Sequence, residues 1–527
     1  MGFKPHDPFY CFKNIKKCIK MFSQVQSFSV LGIEAFPVEI EVDFSLGLPG
    51  ITIVGLPDSS IKESKERIRS ALKNSGFQFP LKKITINLAP ADLKKEGSGF
   101  DLAIAVALLV GMEIIPKNNI LNKAFIGELS LDGRIKKTRG ILPTVLKARE
   151  INLKEIIIPY ENLKEASLVK GISIIGLQHL REAVEYLRGE YKPSPIQNFN
   201  LLENTISHEE DFAEVLGQEF VKRAFEIAAA GGHNLLMIGA PGIGKTMLAR
   251  RIPSILPPMS YEEILETTKI YSVAGLLDER FPVIIHRPFR APHHTISEAG
   301  MIGGGTHPKP GEISLAHNGV LFLDEFPEFK KNIIEALRQP LESGEVTITR
   351  ANFTVTYPAR FMLICAMNPC PCGYYGHPTK PCQCSFQEIK KYRRKLSGPI
   401  IDRIDIHVEV PPVDLKKLLT QKKEDSVDSK TIREKVIKAR NYQQKRYENP
   451  LKVNARLKPK EIKKYCIMEP SAQSFLEKAV EKLQFSARSV HKILKISRTI
   501  ADLEESEIIL KRHISEALQY RALERLI

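Results

Sequence analysis

The sequence predicts a multidomain α/β protein that ends in an all-helical region, and three observations predict it. Between residues 211 and 412, short apolar stretches with the composition of buried strands alternate with helical patterns, which is typical of a parallel sheet. Residues 22–190 mix alternating strand patterns with helices, whereas the last hundred or so residues are Lys-rich and helical throughout. The 527 residues are enough for two or three domains with their own cores.

The balance of charge indicates polyanionic partners. Lysine and arginine number 77 against 61 aspartates and glutamates, which gives a formal net charge of +16. A protein this basic attracts nucleic acid in particular. A generally basic proteome is the alternative explanation of the same excess.

Neither the composition nor the amino terminus indicates a membrane protein. The longest apolar stretch, Leu102–Pro116, is shorter than the ~20 residues that a helix needs to span a bilayer. Residues 1–20 carry scattered lysines without a continuous apolar segment, which is unlike a signal peptide. We therefore expect a cytoplasmic protein with no membrane partner, in which cysteines bind metal or stay free rather than form disulfides.

Residues 22–190 are predicted to form one mixed α/β domain. Residues 1–21 show no periodicity, and we expect them to be an extension upstream of a natural start at Met21, with a short disordered tail as the alternative. "PVEIEVDFSLGLPGITIVGLP" predicts two strands around a Gly-Pro turn. A capped helix follows in "DSSIKESKERIRSALKNSG", then the strand "KKITINLAP" and the buried helix "GFDLAIAVALLVGM".

The polar, Pro-containing residues 191–210 predict a linker to a second domain, 211–412. In that domain "HNLLMIG", "GVLFLDEF" and "RFMLICAMN" are apolar strands separated by helical patterns, so a parallel sheet is expected. Residues 413–527 are predicted to form an all-α domain.

The stretch "GAPGIGKT", 239–246, fits the phosphate-binding pattern G-x-x-x-x-G-K-[ST] between a predicted strand and a predicted helix. Such a loop binds phosphates through backbone N–H groups and the helix N-terminus. We expect Lys245 to contact the β- and γ-phosphates of ATP and Thr246 to bind Mg²⁺. The loop residues expected to bind the nucleotide are Gly239, Pro241, Gly242, Gly244, Lys245 and Thr246.

Two carboxylates end the apolar strand in "LFLDEF", 321–326. Asp324 is expected to hold Mg²⁺, directly or through water, and Glu325 to orient and polarise the attacking water. Carboxylates at the end of a buried strand are costly without a cation. Together the two motifs predict ATP hydrolysis.

Several longer motifs resemble one family. "GAPGIGKTMLARRI", "RPFRAPHHT", "GEISLAHNGVLFLDEF", "ALRQPLESGEVTITRA", "AMNPCPCGYYG" and "SGPIIDRIDIHVEV" resemble the magnesium-chelatase-like AAA+ ATPases of the YifB/ComM family. The resemblance covers almost the whole chain from Met21. It implies a P-loop AAA+ core at 211–412 with a helical lid at 413–527, and a ring, usually a hexamer, with ATP at the subunit interfaces.

Three residues match catalytic positions of this family. Asn368 in "AMN" matches the sensor-1 position, which hydrogen-bonds the attacking water or the γ-phosphate. Arg403 in "IIDRID" matches the arginine finger, which is donated to the ATP of the neighbouring subunit. Arg488 in "FSARSVHKIL" matches the sensor-2 arginine of the lid. A surface salt bridge is the alternative for either arginine.

Two segments of the predicted ATPase domain are expected to face a substrate. "GEVTITRANFTVTYPARF" predicts a β-hairpin with its turn near Arg350–Asn352. Related ATPases aim such a hairpin into the ring pore, where Arg350 would contact a phosphate backbone, and an ordinary hairpin is the alternative. Residues 286–312 include His293 and His294 without a Cys or carboxylate at a helical ligand spacing, so a loop that contacts DNA or the next subunit is favoured over a metal site.

Four of the eight cysteines lie between residues 370 and 384 as C-x-C-x₉-C-x-C. Cys370, Cys372, Cys382 and Cys384 are expected to ligate one structural Zn²⁺. The C-x-C spacing is tighter than the usual C-x₂-C. Free thiols, a disulfide, or His377 in place of one thiolate are the open alternatives.

The first domain resembles the Lon protease domain. "FIGELSLDGRIKKTRGILPTVLKAREINLKEIIIPYEN", 125–162, matches the Lon pattern in spacing, but the stretch that matches the catalytic serine motif is "KEGSGFDL". Gly99 falls at the nucleophile position, with Ser98 one place away, and the catalytic lysine falls on Leu142. Because no lysine is present to activate the serine, we expect a Lon-like α+β fold without peptidase activity that serves ring assembly and substrate gating.

Three functions are consistent with these sequence features. The first is an ATP-driven motor on single-stranded or branched DNA, because members of this family that resemble ComM act as hexameric helicases that move branch points during natural transformation or recombination. The net charge, the hairpin and the possible zinc loop favour it. The basic segments "LKKLLTQKKEDS" and "REKVIKARNYQQKRYE" could face phosphates, and a solvated helix is the alternative for each. The second is a protein-remodelling ATPase similar to the magnesium chelatase motor. The third is a residual peptidase centred on Ser98.

Overall fold

The computed structural model describes residues 22–92, 94–95, 97–193, 210–278, 280–305, 308–350, 353–412 and 427–521. The predicted extension 1–21, most of the predicted linker 191–210, the basic segment 415–426 and the turn residues 351–352 lie outside the described residues, as does the side chain of Arg350. The described residues form two compact units. The first consists of residues up to Asn204 together with Ile264–Ile284, and the second of Thr205–Glu263 and Ile285–Ile527.

The first unit begins with strands whose alternation is the one that the sequence predicts. Val38, Ile40 and Val42 point into the core and are fully buried, because every second side chain of a strand lies on the same face. The strands of this unit are β1 (Phe22–Leu31), β2 (Glu34–Ser45), β3 (Gly50–Val54), β4 (Lys83–Ala89), β5 (Lys123–Phe125), β6 (Glu128–Leu129), β7 (Ile135–Lys136), β8 (Glu155–Pro159) and β9 (Ser173–Leu177).

Within the described ranges, these strands form a seven-stranded mixed sheet in the order β3-β4-β2-β1-β5-β8-β9, and β6 pairs separately with β7. The strands β2 and β3 flank the Gly-Pro turn but do not pair, since β4 lies between them, antiparallel to β2 and parallel to β3. The helices of this unit are α1 (Ser59–Asn74), α2 (Asp101–Gly111), α3 (Ile141–Glu150), α4 (Leu163–Ala166) and α5 (Leu180–Arg188).

Two of these helices follow the predicted patterns closely. Asp58 caps α1 and accepts a hydrogen bond of 2.9 Å from the backbone N–H of Ile61. Every residue of α2 is buried, which explains why its sequence is apolar on all sides.

The second unit is built on a parallel sheet. Its described strands are β10 (Leu235–Ile238), β11 (Phe289–Arg290), β14 (Val320–Leu323), β17 (Met362–Met367) and β18 (Ile406–Glu409), in the order β11-β14-β17-β10-β18. All four neighbouring pairs are parallel. The loops that follow β10, β14 and β17 therefore meet at one edge of the sheet, where ligands bind in folds of this class.

Two small antiparallel pairs accompany this sheet, β12 (Gly303–Gly304) with β13 (Lys309–Pro310), and β15 (Glu345–Arg350) with β16 (Phe353–Pro358). The second pair is the predicted hairpin. Val346, Ile348 and Val355 are buried, and the hydroxyl of Tyr357 donates to the carbonyl of Pro308 at 2.7 Å. One face of the hairpin is thus packed against the unit.

Residues 427–521 form helices and no named strand within the described part of the chain, as the sequence predicts. Ile493, Ile496 and Ile500 lie on one side of the helix Ala487–Leu503 and belong to the same hydrophobic core as the parallel sheet. The remaining helices are α6 (Glu219–Gly231), α7 (Lys245–Arg250), α8 (Ile252–Ile255), α9 (Tyr261–Ala274), α10 (Glu298–Ile302), α11 (Glu312–Leu315), α12 (Lys331–Ala336), α13 (Arg338–Ser343), α14 (Phe386–Arg393), α15 (Gly398–Ile401), α16 (Ser429–Tyr447), α17 (Pro459–Tyr465), α18 (Pro470–Leu483), α19 (Ala487–Leu503) and α20 (Lys511–Gln519).

Across the described helices, none combines the length and the apolar character needed to cross a membrane.

Candidate nucleotide site

The glycine-rich loop connects β10 to α7, the strand–loop–helix context that its pattern requires. Gly242 and Gly244 adopt left-handed backbone conformations, with φ of +79° and +90°, which glycine adopts without steric cost. A Cβ on Gly239 would lie 2.7 Å from the carbonyl oxygen of Val410. The loop is therefore tight, and each of the three glycines is required by the path of its backbone.

Lys245 lies at the start of α7 and is held inside the loop. Its ammonium group donates to the carbonyls of Gly239 at 2.7 Å and Ala240 at 2.9 Å, and to Oδ1 of Asn368 at 3.1 Å. These acceptors engage all three of its hydrogens. Burial lowers the pKa of Lys245, and the charges of Asp324 and Glu325 oppose that shift. The geometry thus places the lysine among the predicted ligands of the phosphates.

The neighbouring hydroxyl and carboxylate meet directly. Oγ1 of Thr246 donates to Oδ2 of Asp324 at 2.6 Å, although the two residues are 78 positions apart in the sequence. A hydroxyl and a carboxylate are the hard oxygen ligands that Mg²⁺ prefers. The donor set therefore fits a magnesium ion shared by this pair and the phosphates of a nucleotide.

Glu325 follows Asp324 at the end of β14 and has a left-handed backbone, with φ of +51°. Its amide donates to Oδ1 of Asp324 at 2.9 Å, and Oε2 of its carboxylate lies 3.2 Å from Nδ1 of His294. The His294 ring lies edge-on to Phe329 and beside His293. The sequence shows the two histidines, but it gives no sign that one of them contacts the predicted catalytic carboxylate.

Asn368 follows β17 and faces the loop from the neighbouring strand. A cleft of about 370 Å³ opens beside it, lined by Glu325, Asn368 and residues of α14. Within this cleft, burial raises the pKa of Tyr392 to about 12. Lys395 pairs with Glu328 at 2.9 Å across the rim. The cleft extends from the predicted catalytic carboxylate toward the surface.

The two predicted arginines lie apart from this cluster and close to each other. Arg403 pairs with Glu342 and donates to the carbonyl of Pro399 at 2.6 Å, and its side chain is 18% exposed. Arg488 is 75% exposed and lies 3.5 Å from Oδ2 of Asp402, the residue before Arg403. Among the described residues, neither arginine forms a hydrogen bond with Lys245, Asp324 or Glu325.

The four cysteines of residues 370–384 converge. All four sulfurs lie within 4.8 Å of one another, and those of Cys370, Cys372 and Cys382 are 3.3–3.7 Å apart. Tetrahedral Zn²⁺ with bonds of ~2.3 Å requires sulfur separations of about 3.8 Å. All four are free thiols. The separations thus fit a tetrahedral metal site and exclude disulfides in this arrangement.

Hydrogen bonds to sulfur add to this fit. The backbone N–H of Cys372 donates to Cys384 and that of Tyr375 to Cys370, both at 3.3 Å. Backbone groups of Tyr374 and Gln383 lower the pKa of the Cys372 thiol, whereas the neighbouring thiols contribute to raised pKa values of Cys382 and Cys384. Only a bound cation would allow all four to be thiolates together. Nδ1 of His377 instead accepts from the backbone of Thr379 and Lys380 at 3.2 and 3.0 Å. The group of possible metal ligands that converges in the described residues consists of the four cysteines, so four sulfur ligands are favoured over a histidine ligand.

The cysteine loop packs against the phosphate-binding loop. Gly373 has φ of +86°, and a Cβ there would lie 2.6 Å from Cδ of Pro241 and 3.9 Å from Cγ of Asn368. Only a glycine allows this approach. The position of the cysteines in the chain is thereby explained, since the loop that they fold supports Pro241 and Asn368 from behind.

In the first unit, the geometry lacks a serine–lysine pair. The hydroxyl of Ser98 donates to the carboxylate of Glu128. Leu142, at the position of the protease lysine, is fully buried in α3. Lys95 donates to the carbonyl of Pro90. Within the described ranges, the structure therefore places no lysine against Ser98.

Comparison with protein families matches three consecutive parts of the chain. Residues 40–162 match subunit ChlI of Mg-chelatase, residues 211–418 match magnesium chelatase subunit ChlI, and residues 426–521 match the carboxyl-terminal part of that subunit.

Comparison with individual proteins gives similarity over nearly the full length. The chain is 45% identical over 507 residues to competence protein ComM of Haemophilus influenzae, which covers 95% of this chain and 98% of that protein. It is 42% identical over 508 residues to YifB of Escherichia coli, covering 96% and 98%. A shorter match of 168 residues, 29% identical and covering 30% of each chain, relates it to Lon protease 2 of Bacillus subtilis.

Proposed function

The chain belongs to the magnesium-chelatase-like AAA+ family that includes ComM and YifB, and from this premise we propose that it is a ring-forming, ATP-hydrolysing motor that moves branched DNA. The observation that carries the proposal is the convergence of Lys245, Thr246, Asp324, Glu325 and Asn368 at one edge of the parallel sheet. The motor acts in the cytoplasm, where ATP and DNA occur together.

The nucleotide site acts by positioning and by charge. Lys245 exchanges its carbonyl acceptors for the β- and γ-phosphates of ATP, while the N–H groups from Gly239 to Thr246 surround the phosphates. Thr246 and Asp324 hold Mg²⁺, which neutralises charge on the phosphates when it is bound. Glu325 accepts a proton from the attacking water and Asn368 orients that water.

Hydrolysis is completed by a second subunit. Arg488 pairs with Asp402, the residue before Arg403, and among the described residues neither arginine forms a hydrogen bond with Lys245, Asp324 or Glu325. We therefore propose that both arginines reach the nucleotide of the neighbouring copy in a ring, usually a hexamer. Arg403 must first leave Glu342 of its own chain. This exchange would couple hydrolysis to assembly of the ring.

DNA is proposed as the substrate for three reasons. The chain has a net charge of +16, the predicted pore hairpin is present as the antiparallel pair β15–β16, and the chain is 45% identical over 95% of its length to a protein named for competence. Cys370, Cys372, Cys382 and Cys384 would hold a structural Zn²⁺, which would brace the loop that packs against Pro241 and Asn368. Binding to phosphates should weaken steeply as salt is added.

The predicted domains divide the work. We propose that residues 22–190 are a Lon-like domain without peptidase activity that supports ring assembly, that 191–210 link it to the ATPase core at 211–412, and that 413–527 form the lid. Ile264–Ile284 belong to the core in sequence yet pack with the first unit.

The rate of ATP hydrolysis with and without DNA tests the proposal. Single-stranded, duplex and four-way-junction DNA are compared, with Glu325→Gln as the inactive control. Strong stimulation that is greatest on junctions is expected. Hydrolysis that no DNA stimulates would contradict the DNA motor.

A protein-remodelling ATPase is the second candidate, because residues 211–418 match magnesium chelatase subunit ChlI. Hydrolysis that DNA leaves unchanged but that a co-purifying protein stimulates would favour it. Cleavage of casein would instead restore the peptidase hypothesis for Ser98.

A further inference from the structure

A second polar cleft lies at the opposite edge of the parallel sheet. Its volume is about 90 Å³, and its lining includes Gly319 and Met362, which stand at the amino ends of β14 and β17. The phosphate-binding loop follows the carboxyl end of β10. Since these strands are four to six residues long, the two edges lie about 13–20 Å apart. The cleft is therefore separate from the nucleotide site.

Positive charge predominates in this cleft. Its described lining residues include four arginines, Arg287, Arg360, Arg440 and Arg456, but Glu263 is the one carboxylate among them. Glu263 is already engaged, because Nη1 and Nη2 of Arg287 donate to its two oxygens at 3.1 and 3.0 Å. Both oxygens of Glu263 are thus bound to Arg287, and neither Arg440 nor Arg456 forms an ion pair with a carboxylate of the described residues.

The lid supplies two of the four arginines. Nε and Nη2 of Arg440 donate to the carbonyl of Ala229 at 3.2 and 2.7 Å, near the carboxyl end of α6. Burial, and next the charge of Arg287, lower the pKa of Arg440 to about 9. A lowered arginine pKa means that the protein disfavours the charged form at this position. An anion in the cleft would remove that cost.

Arg456 lines the same cleft and keeps part of its surface exposed. Its guanidinium makes no hydrogen bond and no close ion pair with any residue in the described ranges. Desolvation by the surrounding protein, and next the charge of Arg360, lower the pKa of Arg456 to about 10. It ends a short helical turn that begins at the buried Asn454. Asn454 donates to Asp502 at 2.8 Å and to Thr499 at 3.0 Å, so the turn is anchored to α19.

We propose that this cleft, formed by Arg287 and Arg360 of the core and by Arg440 and Arg456 of the lid, binds a phosphate group. Guanidinium groups match the oxygens of phosphate with paired hydrogen bonds, and a phosphate carries enough negative charge to balance two of them. The small volume admits one phosphate group rather than a whole nucleotide. A bound phosphate would join the lid to the core.

Two sources supply this chemistry, a free phosphate or pyrophosphate and the backbone of DNA. The DNA source rests on the proposed function, whereas the free anion does not. The full chain carrying Lys245→Ala serves as the parent protein, because this substitution removes the phosphate contact of the nucleotide loop. Arg456→Gln is introduced into the parent, and Lys460→Gln is the matched control, since Lys460 is exposed and lies four residues away.

Binding of pyrophosphate is measured by isothermal titration calorimetry, and binding of a fluorescein-labelled single-stranded oligonucleotide by anisotropy at one fixed salt concentration. For a free-anion site, Arg456→Gln weakens pyrophosphate binding by about tenfold while Lys460→Gln leaves it near that of the parent. For a DNA site, pyrophosphate does not bind, and Arg456→Gln weakens oligonucleotide binding about tenfold more than Lys460→Gln does.

Equal behaviour of the two variants in both titrations would overturn the proposal. If the oligonucleotide binds the parent and both variants equally, the phosphate cleft is wrong while the DNA motor stands. If the oligonucleotide does not bind the parent at all, the proposed function fails, and the pyrophosphate titration still decides the cleft. An altered oligomeric state of the Arg456→Gln protein with unchanged ligand binding would assign the cleft to a carboxylate of another copy, which also overturns the proposal.

Discussion

Each unit has a glycine-rich turn that places a lysine and a hydroxyl near the start of a helix. The first turn contains Lys95 and Ser98, and the second contains Lys245 and Thr246. Only the second turn has the features of a catalytic site. In the second unit, Lys245 donates to backbone carbonyls and Thr246 donates to a carboxylate, Asp324. In the first unit, Lys95 donates to the carbonyl of Pro90 and Ser98 donates to the carboxylate of Glu128. A lysine and a hydroxyl beside a glycine turn are therefore not sufficient for chemistry.

The difference lies in what surrounds each lysine. Lys95 is fully buried, and the helix that follows its turn is buried along its whole length. Lys245 instead contacts Asn368 from a neighbouring strand, and the charges of Asp324 and Glu325 act on it. A parallel sheet brings the ends of several strands together, so carboxylates and an amide converge on the second turn. Convergence of strand ends, more than the local motif, therefore makes the site.

Replacing the two lysines gives the largest expected contrast. Lys245→Ala should reduce ATP turnover by at least about 10³-fold, because the phosphates lose their lysine contact inside the loop. Lys95→Met should leave turnover unchanged, since this lysine holds only a carbonyl of its own unit. Steady-state phosphate release measures both. Loss of ATP turnover in a well-folded Lys95→Met protein would contradict the claim that only the second turn is catalytic.

Replacing the proposed arginine finger, Arg403, tests whether ATP hydrolysis at the second turn requires a neighbouring subunit. Arg403→Ala should lower ATP turnover by about 10³-fold and leave nucleotide binding intact, because such fingers act on the transition state. Mixing Arg403→Ala with Lys245→Ala subunits should restore part of the rate, since intact loops then meet intact fingers across some interfaces.

A control variant removes the ion pair between Arg403 and Glu342 but keeps Arg403. Glu342→Gln removes the carboxylate of that pair without touching the nucleotide site, and it should keep or raise the rate of hydrolysis. Wild-type turnover in Arg403→Ala would show that the finger is another residue.

Disrupting the cysteine cluster should lower ATP turnover by less, and it should act through the second turn. Gly373 packs against Pro241, so a disordered cysteine loop would displace the phosphate-binding loop and lower turnover by about 10-fold to 10²-fold. Cys384→Ser is compared with Gln383→Ala, which changes the residue before it and keeps all four thiols. Metal analysis after anaerobic purification should find about one zinc per chain in the Gln383→Ala protein and less in Cys384→Ser. Absence of metal in both would contradict the zinc site.

Much of this site could be predicted from the sequence because its parts are local. The loop from Gly239 to Thr246, the carboxylates after β14 and Asn368 after β17 each follow an apolar strand, and a parallel sheet brings such positions to one edge. The alternation of β1 and β2 and the cap of α1 were predictable for the same reason, since each depends on neighbouring residues.

Contacts between distant segments were not predictable. No pattern in β2 or β3 shows that β4 lies between them, and no composition change marks Ile264–Ile284 as part of the first unit. The contacts of His294 with Glu325 and of Arg403 with Glu342 join residues 31 and 61 positions apart. Such contacts depend on the path of the backbone in three dimensions, which no single stretch encodes.

The smallest expected effect concerns Glu165, a buried carboxylate of the first unit that releases its proton at a higher pH than an exposed one. Burial raises the pKa of Glu165 from 4.5 to about 7, and Ser272 donates to it at 3.2 Å. The folded state therefore binds more protons than the unfolded state between about pH 4.5 and 7, so its contribution to stability falls as the pH rises through that window. The neutral Glu165→Gln side chain can keep the bond from Ser272, so this variant should match the wild type near pH 4.5 and melt about 2–4 °C higher at pH 8. Thermal unfolding followed by circular dichroism across this range measures the difference. Asp101, whose pKa burial raises to about 6, gives the same trend in both proteins and cancels from their difference. A melting difference that does not change with pH would contradict the raised pKa of Glu165.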